Sequence, residues 1–264
     1  MAAKVVLITG ANTGIGYETV KVFLESQHRY HVYLGARSPS KGKEVIQKIR
    51  AECSKATNTV ELLEIDVESD DSIQKDFEMV KNGQGRVDIL INNAGAGFDM
   101  QFVQNQMSLR ECYNKAYNIN VTGANVVTWT FMPLLLKSAE PRLLFVAGLS
   151  QMTAAVDNYF PTPPQPAGWP KKIDFETIGY RCSKTALSML MLDWHHKLKA
   201  DGVKVFSVSP GICATDLGGM GPEIIQALGG VHPREGGERL IAVAEGKRDA
   251  DAGKLIDKEG LIPW

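Results

Sequence analysis

The stretch VVLITGANTGIGYE, from Val5 to Glu18, decides how the rest of the chain is interpreted. It opens with an apolar run of the kind that fills a buried strand, and glycines follow at Gly10, Gly14 and Gly16. Glycines allow a tight turn, and the N-terminus of the helix that follows favours a phosphate. The stretch therefore predicts a strand, a glycine-rich turn and a helix that together hold a dinucleotide.

Further apolar runs alternate with helical segments along the chain. The predicted strands are Val5–Thr9, His31–Ala36, Val60–Asp66, Val87–Ala94, Arg142–Ala147, Val203–Pro210 and a short last one, Lys254–Asp257, with helices near Tyr17–Ser26 and Lys41–Cys53. Such near-continuous apolar strands are typical of a parallel sheet that is covered on both faces. We therefore predict an α/β fold of the Rossmann type: one doubly wound parallel sheet with right-handed crossovers, formed by residues 1–264 as a single domain.

Composition narrows the class of protein. The 264 residues carry 29 basic and 30 acidic side chains, a net charge of -1, so no strong field favours nucleic acid or an anionic membrane as partner. The four cysteines form no CxxC pair and no set of metal ligands, and we expect reduced thiols and no metal. The chain has no apolar run of the roughly 18 residues that span a bilayer, and because MAAKVVLITG leads at once into a strand we expect no signal peptide. We expect a cytoplasmic protein.

Two segments interrupt the alternation. Residues 157–172 hold five of the twelve prolines, which predicts an inserted loop on the ligand edge of the sheet. Its aromatic side chains Tyr159, Phe160 and Trp169 either form a wall of the substrate pocket or pack back on the body of the protein. Residues 216–237 mix glycines with a short apolar helix, which suits a hinged substrate lid and a passive surface loop equally.

Five motifs in order resemble the short-chain dehydrogenase/reductase family, from Lys4 to about Thr215. They are TGANTGIG (Thr9–Gly16), NNAG (Asn92–Gly95), INVTG (Ile119–Gly123), YRCSK (Tyr180–Lys184) and SPGICAT (Ser209–Thr215). The resemblance implies an oxidoreductase that binds a nicotinamide dinucleotide, of the NADP-preferring carbonyl reductase type. The cofactor-binding residues it implies are Gly10, Asn12, Thr13, Gly14, Ile15, Gly16, Asp66, Val67, Asn93, Ala94, Gly95, Tyr180, Lys184, Pro210, Gly211 and Thr215. For Asn93, bracing of the sheet is a second role.

The residues after the second strand favour NADP(H). An acidic side chain there binds the ribose 2′-hydroxyl of NAD, whereas an arginine accommodates the 2′-phosphate of NADP. This chain has Gly35 and Ala36, then Arg37, whose planar guanidinium suits a phosphate, and Ser38 adds a hydroxyl.

Tyr180 and Lys184 stand four residues apart on a predicted helix, so both project from one face. A free phenol has a pKa near 10, and a neighbouring ammonium stabilises the phenolate. By the resemblance, Tyr180 protonates the carbonyl oxygen as hydride arrives, Lys184 also holds the nicotinamide ribose, and Asn120 helps to place a water beside the lysine.

The family ends its fifth strand with a serine that polarises the substrate carbonyl. An ungapped alignment places Ala147 and Gly148 at that position, and Ser150 lies two residues further on. Ser150 therefore either replaces the family serine through a tighter turn or satisfies the hydrogen bonds of that turn. We expect that it acts in catalysis, because the rest of the catalytic set is kept.

The leading prediction is an NADPH-dependent reductase of a bulky apolar or aromatic ketone, aldehyde or imine, such as a biosynthetic intermediate. The alternative is an NADP-binding protein of this fold without redox turnover: a cyclase, an isomerase or a dinucleotide sensor. The family's helices near residues 100–131 and 180–200 commonly pair across two-fold axes. Because Ala186–Trp194 is apolar on nearly every side, we expect a homodimer or homotetramer.

Overall fold

The computed structural model describes residues 2–148, 150–157, 159 and 164–264. Every predicted strand is present. The strands are β1 (Lys4–Ile8), β2 (Tyr30–Gly35), β3 (Thr59–Leu63), β4 (Ile89–Asn92), β5 (Arg142–Val146), β6 (Lys204–Val208) and β7 (Leu255–Ile256). They form one parallel sheet in the order β3-β2-β1-β4-β5-β6-β7. The doubly wound α/β fold is confirmed.

Helices occupy the connections. They are α1 (Gly14–Glu25), α2 (Pro39–Glu52), α3 (Asp70–Asn82), α4 (Asp99–Val103), α5 (Leu109–Tyr117), α6 (Ala124–Leu135), α7 (Met152–Asp157), α8 (Ile178–Leu198), α9 (Pro222–Ala227) and α10 (Pro233–Ala244). A π-helical turn, Asn118–Gly123, joins α5 to α6, and a 3₁₀ turn, Asp249–Asp251, precedes β7. Among the described residues, no helix is long and apolar enough to cross a membrane.

The strand residues divide into two apolar cores because successive side chains point to opposite faces. Val6 and Ile8 belong to the core that α1 and α10 cover, whereas Val5 and Leu7 belong to the core under α3, α6 and α8. Both faces of the sheet are therefore buried. The arrangement leaves the carboxyl ends of the strands as the open edge where a ligand binds in such folds.

The predicted strands are longer than the observed ones at their carboxyl ends. The runs ending at Asp66, Ala94 and Pro210 continue past the strands into loops. Several of these extra residues bond side chains instead of the ladder, as Asp66 does when its amide N–H donates to the Ser72 hydroxyl. The polar residues at the carboxyl ends of the predicted strands therefore form the loops of the candidate site.

Candidate active site

The centre of the sheet is where the chain reverses direction of winding. β1 and β4 are neighbours, and the chain leaves them toward opposite faces, which opens a crevice between their carboxyl ends. The loops that follow the two strands touch: a Cβ on Gly10 would lie 2.7 Å from the Cα of Ala94. Gly10 also has φ +60°, a conformation that suits glycine.

The glycine-rich turn leads into a helix whose first turn receives no side-chain cap. Gly14, with φ +55°, begins α1, and a Cβ on Gly16 would lie 2.6 Å from the Gly10 carbonyl oxygen. The side chain of Thr13, which precedes the helix, accepts no capping bond, and the first turn contains no acidic residue. The turn formed by Gly10 to Gly16, with Asn12, Thr13 and Ile15, therefore fits the pyrophosphate of a dinucleotide.

Arg37 follows β2 and is 73% exposed at its side chain. Its nearest ion pair is with Glu68, at 3.9 Å, and Glu68 also accepts a bond from the Asn118 amide. An exposed pair at this distance contributes about 0–1 kcal/mol, so Arg37 is free to turn to a phosphate. Ser38 precedes α2, and its hydroxyl lies 3.2 Å from that of Ser40.

The loop after β4 joins three parts of the site. Asn93 Nδ2 donates to the carbonyls of Thr9 and Gly10, at 2.9 and 3.0 Å, so the bracing role predicted for Asn93 is present. The Ala94 amide donates to the Thr9 hydroxyl. A Cβ on Gly95 would lie 3.2 Å from Lys184 Nζ, so the loop passes close to the lysine.

The loop after β3 lies on the neighbouring part of the edge. Asp66 Oδ1 accepts the Glu68 amide, and the carbonyl oxygen of Val67 lies 2.5 Å from where a Cβ on Gly123 would be. Asp66 and Val67 are therefore fixed beside the π-helical turn. Their adenine-binding role stays a prediction of the resemblance.

Tyr180 and Lys184 lie on one face of α8, as their spacing predicts. Lys184 is buried, its Nζ donates to the Val146 carbonyl at the end of β5 at 2.9 Å, and it lies 5.6 Å from the centre of the Tyr180 ring. Burial lowers the pKa of Lys184 from its ordinary 10.5 to about 8. Burial also raises the pKa of Tyr180 above its ordinary value of 10.0, so the phenol is protonated at neutral pH.

Asn120 is fully buried in the π-helical turn. Its side chain exchanges two hydrogen bonds with the backbone of Ala96, at 2.8 and 2.9 Å, and donates to Ser183 Oγ at 2.8 Å. Ser183 Oγ in turn donates to the Tyr180 carbonyl. Asn120 therefore connects the loop after β4 to the helix of the Tyr/Lys pair, and π-helical turns are frequent at functional sites.

Ser150 is placed differently from the other predicted catalytic residues. It is 2% exposed, and its hydroxyl accepts a bond from Ser188 Oγ at 3.2 Å. Ser188 lies two helical turns past Tyr180 on α8, a rise of roughly 12 Å. The structure thus brings Ser150 to α8 beyond Lys184, whereas it brings Tyr180, Lys184 and Asn120 together.

The loop after β6 closes the site beside the glycine turn. Gly211 has φ +79°, and the Thr215 Cγ2 methyl lies 3.1 Å from where a Cβ on Gly14 would be. Further along, the Ala214 amide donates to the Val231 carbonyl, and the Val231 amide donates to the Ile212 carbonyl, both at 2.8 Å. These two bonds close the loop between them at its base. The last part of the predicted 216–237 lid belongs to α10, where Gly237 packs against α1.

Large apolar side chains stand exposed around this edge. They are Met152 and Val156 of α7, Ile212, Leu217, Ile224 and Leu228 of the loop after β6, and Leu261 and Trp264 near the end of the chain. The Thr153 amide donates to the Trp264 carbonyl at 2.6 Å, which joins the last segment to α7. These side chains lie on segments that follow the carboxyl ends of β5, β6 and β7.

The proline-rich segment is irregular over residues 164–172, as its composition predicts. Tyr159 lies under the Arg181 guanidinium, 4.7 Å from the ring centre, and Trp169 is 87% exposed. Trp169 therefore does not pack back on the body of the protein. Phe160 lies outside the described residues.

The model of the short chain dehydrogenase family matches residues 4–157, more than half of the chain. This protein is a short-chain dehydrogenase/reductase. It is 40% identical to short-chain dehydrogenase/reductase tropE of Talaromyces stipitatus, over 98% of this chain and 97% of that protein. It is 38% identical to short-chain dehydrogenase/reductase eupG of a Phoma species, over 98% and 97%. The chain is therefore an oxidoreductase of this family.

Solved structures of this fold include reductases with either dinucleotide. An NADPH-bound carbonyl reductase from chicken fatty liver matches with a TM-score of 0.76 at 23% identity over the whole of both chains. A 3-ketoacyl-(acyl-carrier-protein) reductase from Brucella melitensis, complexed with NADH, matches with a TM-score of 0.74 at 19% identity, over 97% of this chain and 96% of that one. Likeness at these identities concerns the fold.

The structure adds contacts that the sequence motifs do not report. Ser183, inside the YRCSK motif, links Asn120 to the Tyr180 carbonyl, Ser188 donates to Ser150, and Asp99 binds the first turn of α8. These contacts join segments far apart in the chain. The only sequence signal for Asp99 is an acid in the short, mostly apolar stretch AGFDM, residues 96–100, after the NNAG motif.

Proposed function

We propose that the protein is an NADPH-dependent reductase of a ketone, aldehyde or imine carried by a bulky apolar or aromatic small molecule. The observation that carries the proposal is the pairing of Tyr180, a protonated phenol, with the buried ammonium of Lys184 at the crevice between β1 and β4. Reduction requires a proton donor beside a bound dinucleotide, and this pair supplies it.

The residues that would hold the cofactor are grouped along the open edge of the sheet. The glycine turn and the start of α1 suit the pyrophosphate, Arg37 and Ser38 the 2′-phosphate, and Asp66 with Val67 the adenine. Asn93, Ala94, Gly95 and Lys184 would lie along the riboses, and Pro210, Gly211 and Thr215 along the carboxamide. When bound, NADPH supplies the hydride.

The protein's own residues supply the proton and hold the parts of the site in place. Tyr180 donates its phenolic proton to the substrate oxygen or nitrogen. Lys184 favours this transfer because its positive charge stabilises the phenolate that remains. Asn120 holds the loop after β4 against α8. The Val146 carbonyl holds Lys184 until a ribose hydroxyl is available.

The apolar rim supports a bulky apolar or aromatic substrate. Met152 and Val156 on α7, with Ile224 and Leu228 across the loop after β6, are all more than half exposed. An apolar substrate would bury these side chains, and burying an exposed apolar side chain contributes roughly 1.5–3 kcal/mol. We propose that these side chains define the substrate class.

The test is reduction of a panel of aromatic and aliphatic carbonyls, followed through the absorbance of NADPH. Benzaldehyde, naphthaldehyde, acetophenone and phenanthrenequinone span the sizes needed. Tyr180→Phe should abolish turnover and leave NADPH binding nearly intact, because only the proton donor is lost. Tyr30→Phe, a buried change at the start of β2, is the control and should keep turnover. Wild-type kcat in Tyr180→Phe would contradict the proposal.

The position of Ser150 favours one alternative function. Its oxygen accepts the hydroxyl of Ser188, which lies one helical turn past Lys184 on α8. If that position keeps Ser150 away from the substrate, the site lacks the family's carbonyl-polarising donor, and loss of one such donor costs roughly 10²–10³ in rate. The alternative is a protein that binds NADP without redox turnover, as a cyclase, an isomerase or a dinucleotide sensor. Micromolar NADPH affinity with no turnover on any carbonyl of the panel would favour it.

A further inference from the structure

The helix that carries Tyr180 begins without a capping bond from the side chain of its N-cap residue. Thr177, the residue before α8, makes no side-chain bond to the first turn. The Glu176 carboxylate accepts the amides of Thr177 and Ile178, at 2.8 and 3.0 Å. The next two amides, those of Gly179 and Tyr180, point to a carboxylate from a distant part of the chain.

That carboxylate belongs to Asp99, the first residue of α4. Its Oδ1 accepts the Gly179 amide at 2.6 Å, and its Oδ2 accepts the Tyr180 amide at 3.0 Å. Asp99 is 4% exposed, so these bonds form away from water. Hydrogen bonds to an ionised group are roughly twice as strong as neutral ones, and a carboxylate suits the positive end of a helix.

Gly179 makes room for this contact. A Cβ on Gly179 would lie 2.9 Å from Asp99 Oδ1, closer than Cβ atoms approach other atoms in proteins. The same stretch of chain then passes the Tyr180 ring: a Cβ on Gly97 would lie 3.5 Å from Tyr180 Cδ2. Asp99 therefore fixes both the backbone of Tyr180 and the loop beside its ring.

We propose that Asp99 is a positioning residue for Tyr180, which fixes the start of α8 to the loop that follows the NNAG motif. The inference rests on the proposed function of Tyr180 as proton donor. Asp99 does not touch the reacting atoms. It acts because a displacement of about 1 Å at a reacting group costs roughly 10²-fold in rate.

The experiment compares Asp99→Asn, Asp99→Ala and Gly179→Ala with the wild type. Asp99→Ala loses both acceptors and should lower kcat by roughly 10²-fold, with NADPH affinity changed by less than about threefold. Asp99→Asn keeps one acceptor oxygen and should retain part of the lost rate. Gly179→Ala displaces the carboxylate without removing it and should also lower kcat, which provides a test even if Asp99→Ala folds poorly.

The matched control is Asp88→Asn, at the opposite edge of the sheet. Asp88 is also buried and accepts a backbone amide, that of Val5 at 2.7 Å, besides bonds from Arg86 and Ser138. A purely structural role for Asp99 predicts that both Asn variants lower the melting temperature and keep kcat. Wild-type kcat in Asp99→Ala and Gly179→Ala, with Tyr180→Phe inactive, would overturn the inference about Asp99 and leave the proposed function standing. Wild-type kcat in Tyr180→Phe would overturn the proposed function first.

Discussion

At the scale of single residues, the site depends on side chains whose charge or proton is set by their surroundings. Arg37 is exposed and weakly paired, whereas Lys184 is buried and bonded to one carbonyl. The two cations therefore differ in what they contribute. Arg37 can leave its weak ion pair and bind a phosphate with little loss of stability. Burial of the Lys184 charge beside Tyr180, in contrast, destabilises the folded state.

Arg37→Asp should reverse the cofactor preference. The change removes the guanidinium that would bind the 2′-phosphate and adds a carboxylate, which repels that phosphate and suits a ribose 2′-hydroxyl. We expect NADPH affinity to fall by at least roughly tenfold and NADH affinity to stay equal or rise, measured by fluorescence titration. Lys43→Asp, an exposed change on α2, is the control. Equal losses of both cofactors would contradict the role of Arg37.

Lys184→Met should inactivate the enzyme and stabilise it. The pKa of Lys184 is lowered by burial, so the folded state binds its proton less tightly than the unfolded chain does. The resulting cost is complete below about pH 8 and vanishes as the pH approaches 10.5. We expect a gain of about 2 kcal/mol in the free energy of unfolding at neutral pH, because the orphaned Val146 carbonyl offsets part of the benefit.

Urea unfolding of both proteins across this range of pH measures the effect. The difference between Lys184→Met and the wild type should be largest below about pH 8 and shrink above it. A variant less stable than the wild type at neutral pH would show that the ammonium is not destabilising in the folded protein.

Ser150→Ala and Gly148→Ser decide where the carbonyl-polarising hydroxyl lies. The sequence favours a catalytic Ser150, but the structure places it against Ser188, one turn past Lys184 on α8, so we expect Ser150→Ala to cost about 1 kcal/mol of stability and little rate. Gly148 tolerates a side chain: it has no positive φ, and its Cβ would lie 3.6 Å from Ser209 Oγ. Gly148→Ser should therefore raise kcat. A fall in kcat of roughly 10²-fold in Ser150→Ala would instead make Ser150 catalytic.

At the scale of elements, the sequence predicts what periodicity and short motifs encode. The seven strands, α1, α2 and the Tyr/Lys face of α8 follow from apolar runs and from spacing. The helical region predicted over residues 100–131 is in fact divided into α4, α5, a π-helical turn and α6. The start of α5 does have a local signal, the capping box formed by Ser108 and Glu111. The π-helical turn holds Asn120, whose bonds to Ala96 and Ser183 join segments distant in the sequence, so no local pattern reports those contacts.

Leu228→Ser should weaken the binding of large substrates. Leu228 is 71% exposed at the end of α9, in the loop whose base is closed between Ile212 and Val231. If a bulky substrate buries it, loss of that apolar contact should raise KM for naphthaldehyde by roughly tenfold, with smaller change for benzaldehyde. Leu136→Ser, an exposed leucine at the end of α6, is the control. Equal KM values for both aldehydes would contradict a substrate-contacting loop.

At the scale of the whole molecule, one apolar surface lies away from the crevice. Trp129 of α6 and Met189 of α8 are 71% and 66% exposed, and Trp129 packs against the buried ring of Trp194, with ring centres 6.2 Å apart. We call the exposed side chains of Trp129 and Met189 the α6/α8 patch. Isolated exposed apolar residues are ordinary, but these two lie on the two helices that the family resemblance expects to pair across a two-fold axis.

Disruption of the α6/α8 patch should produce a monomer. We expect a homodimer or homotetramer in solution, and Trp129→Glu with Met189→Lys should dissociate it, because charges at the core of an interface are costly to bury. Light scattering coupled to gel filtration measures the mass. Met79→Lys, which changes an exposed methionine on α3, is the control. A wild-type monomer at micromolar concentration would contradict this prediction.

The closed base of the loop after β6 has a consequence for how substrate preference can change. Because the bonds between Ile212, Ala214 and Val231 hold the two ends together, and Thr215 beside them contacts the glycine turn, residues 216–230 can change without opening the base of the loop. For such a segment, doubling its length costs only about 0.6 kcal/mol of chain entropy. This segment therefore tolerates replacement as a unit. Insertions, deletions or transplanted sequences there would alter what the crevice admits while the sheet, α8 and the dinucleotide turn keep their own folding free energy.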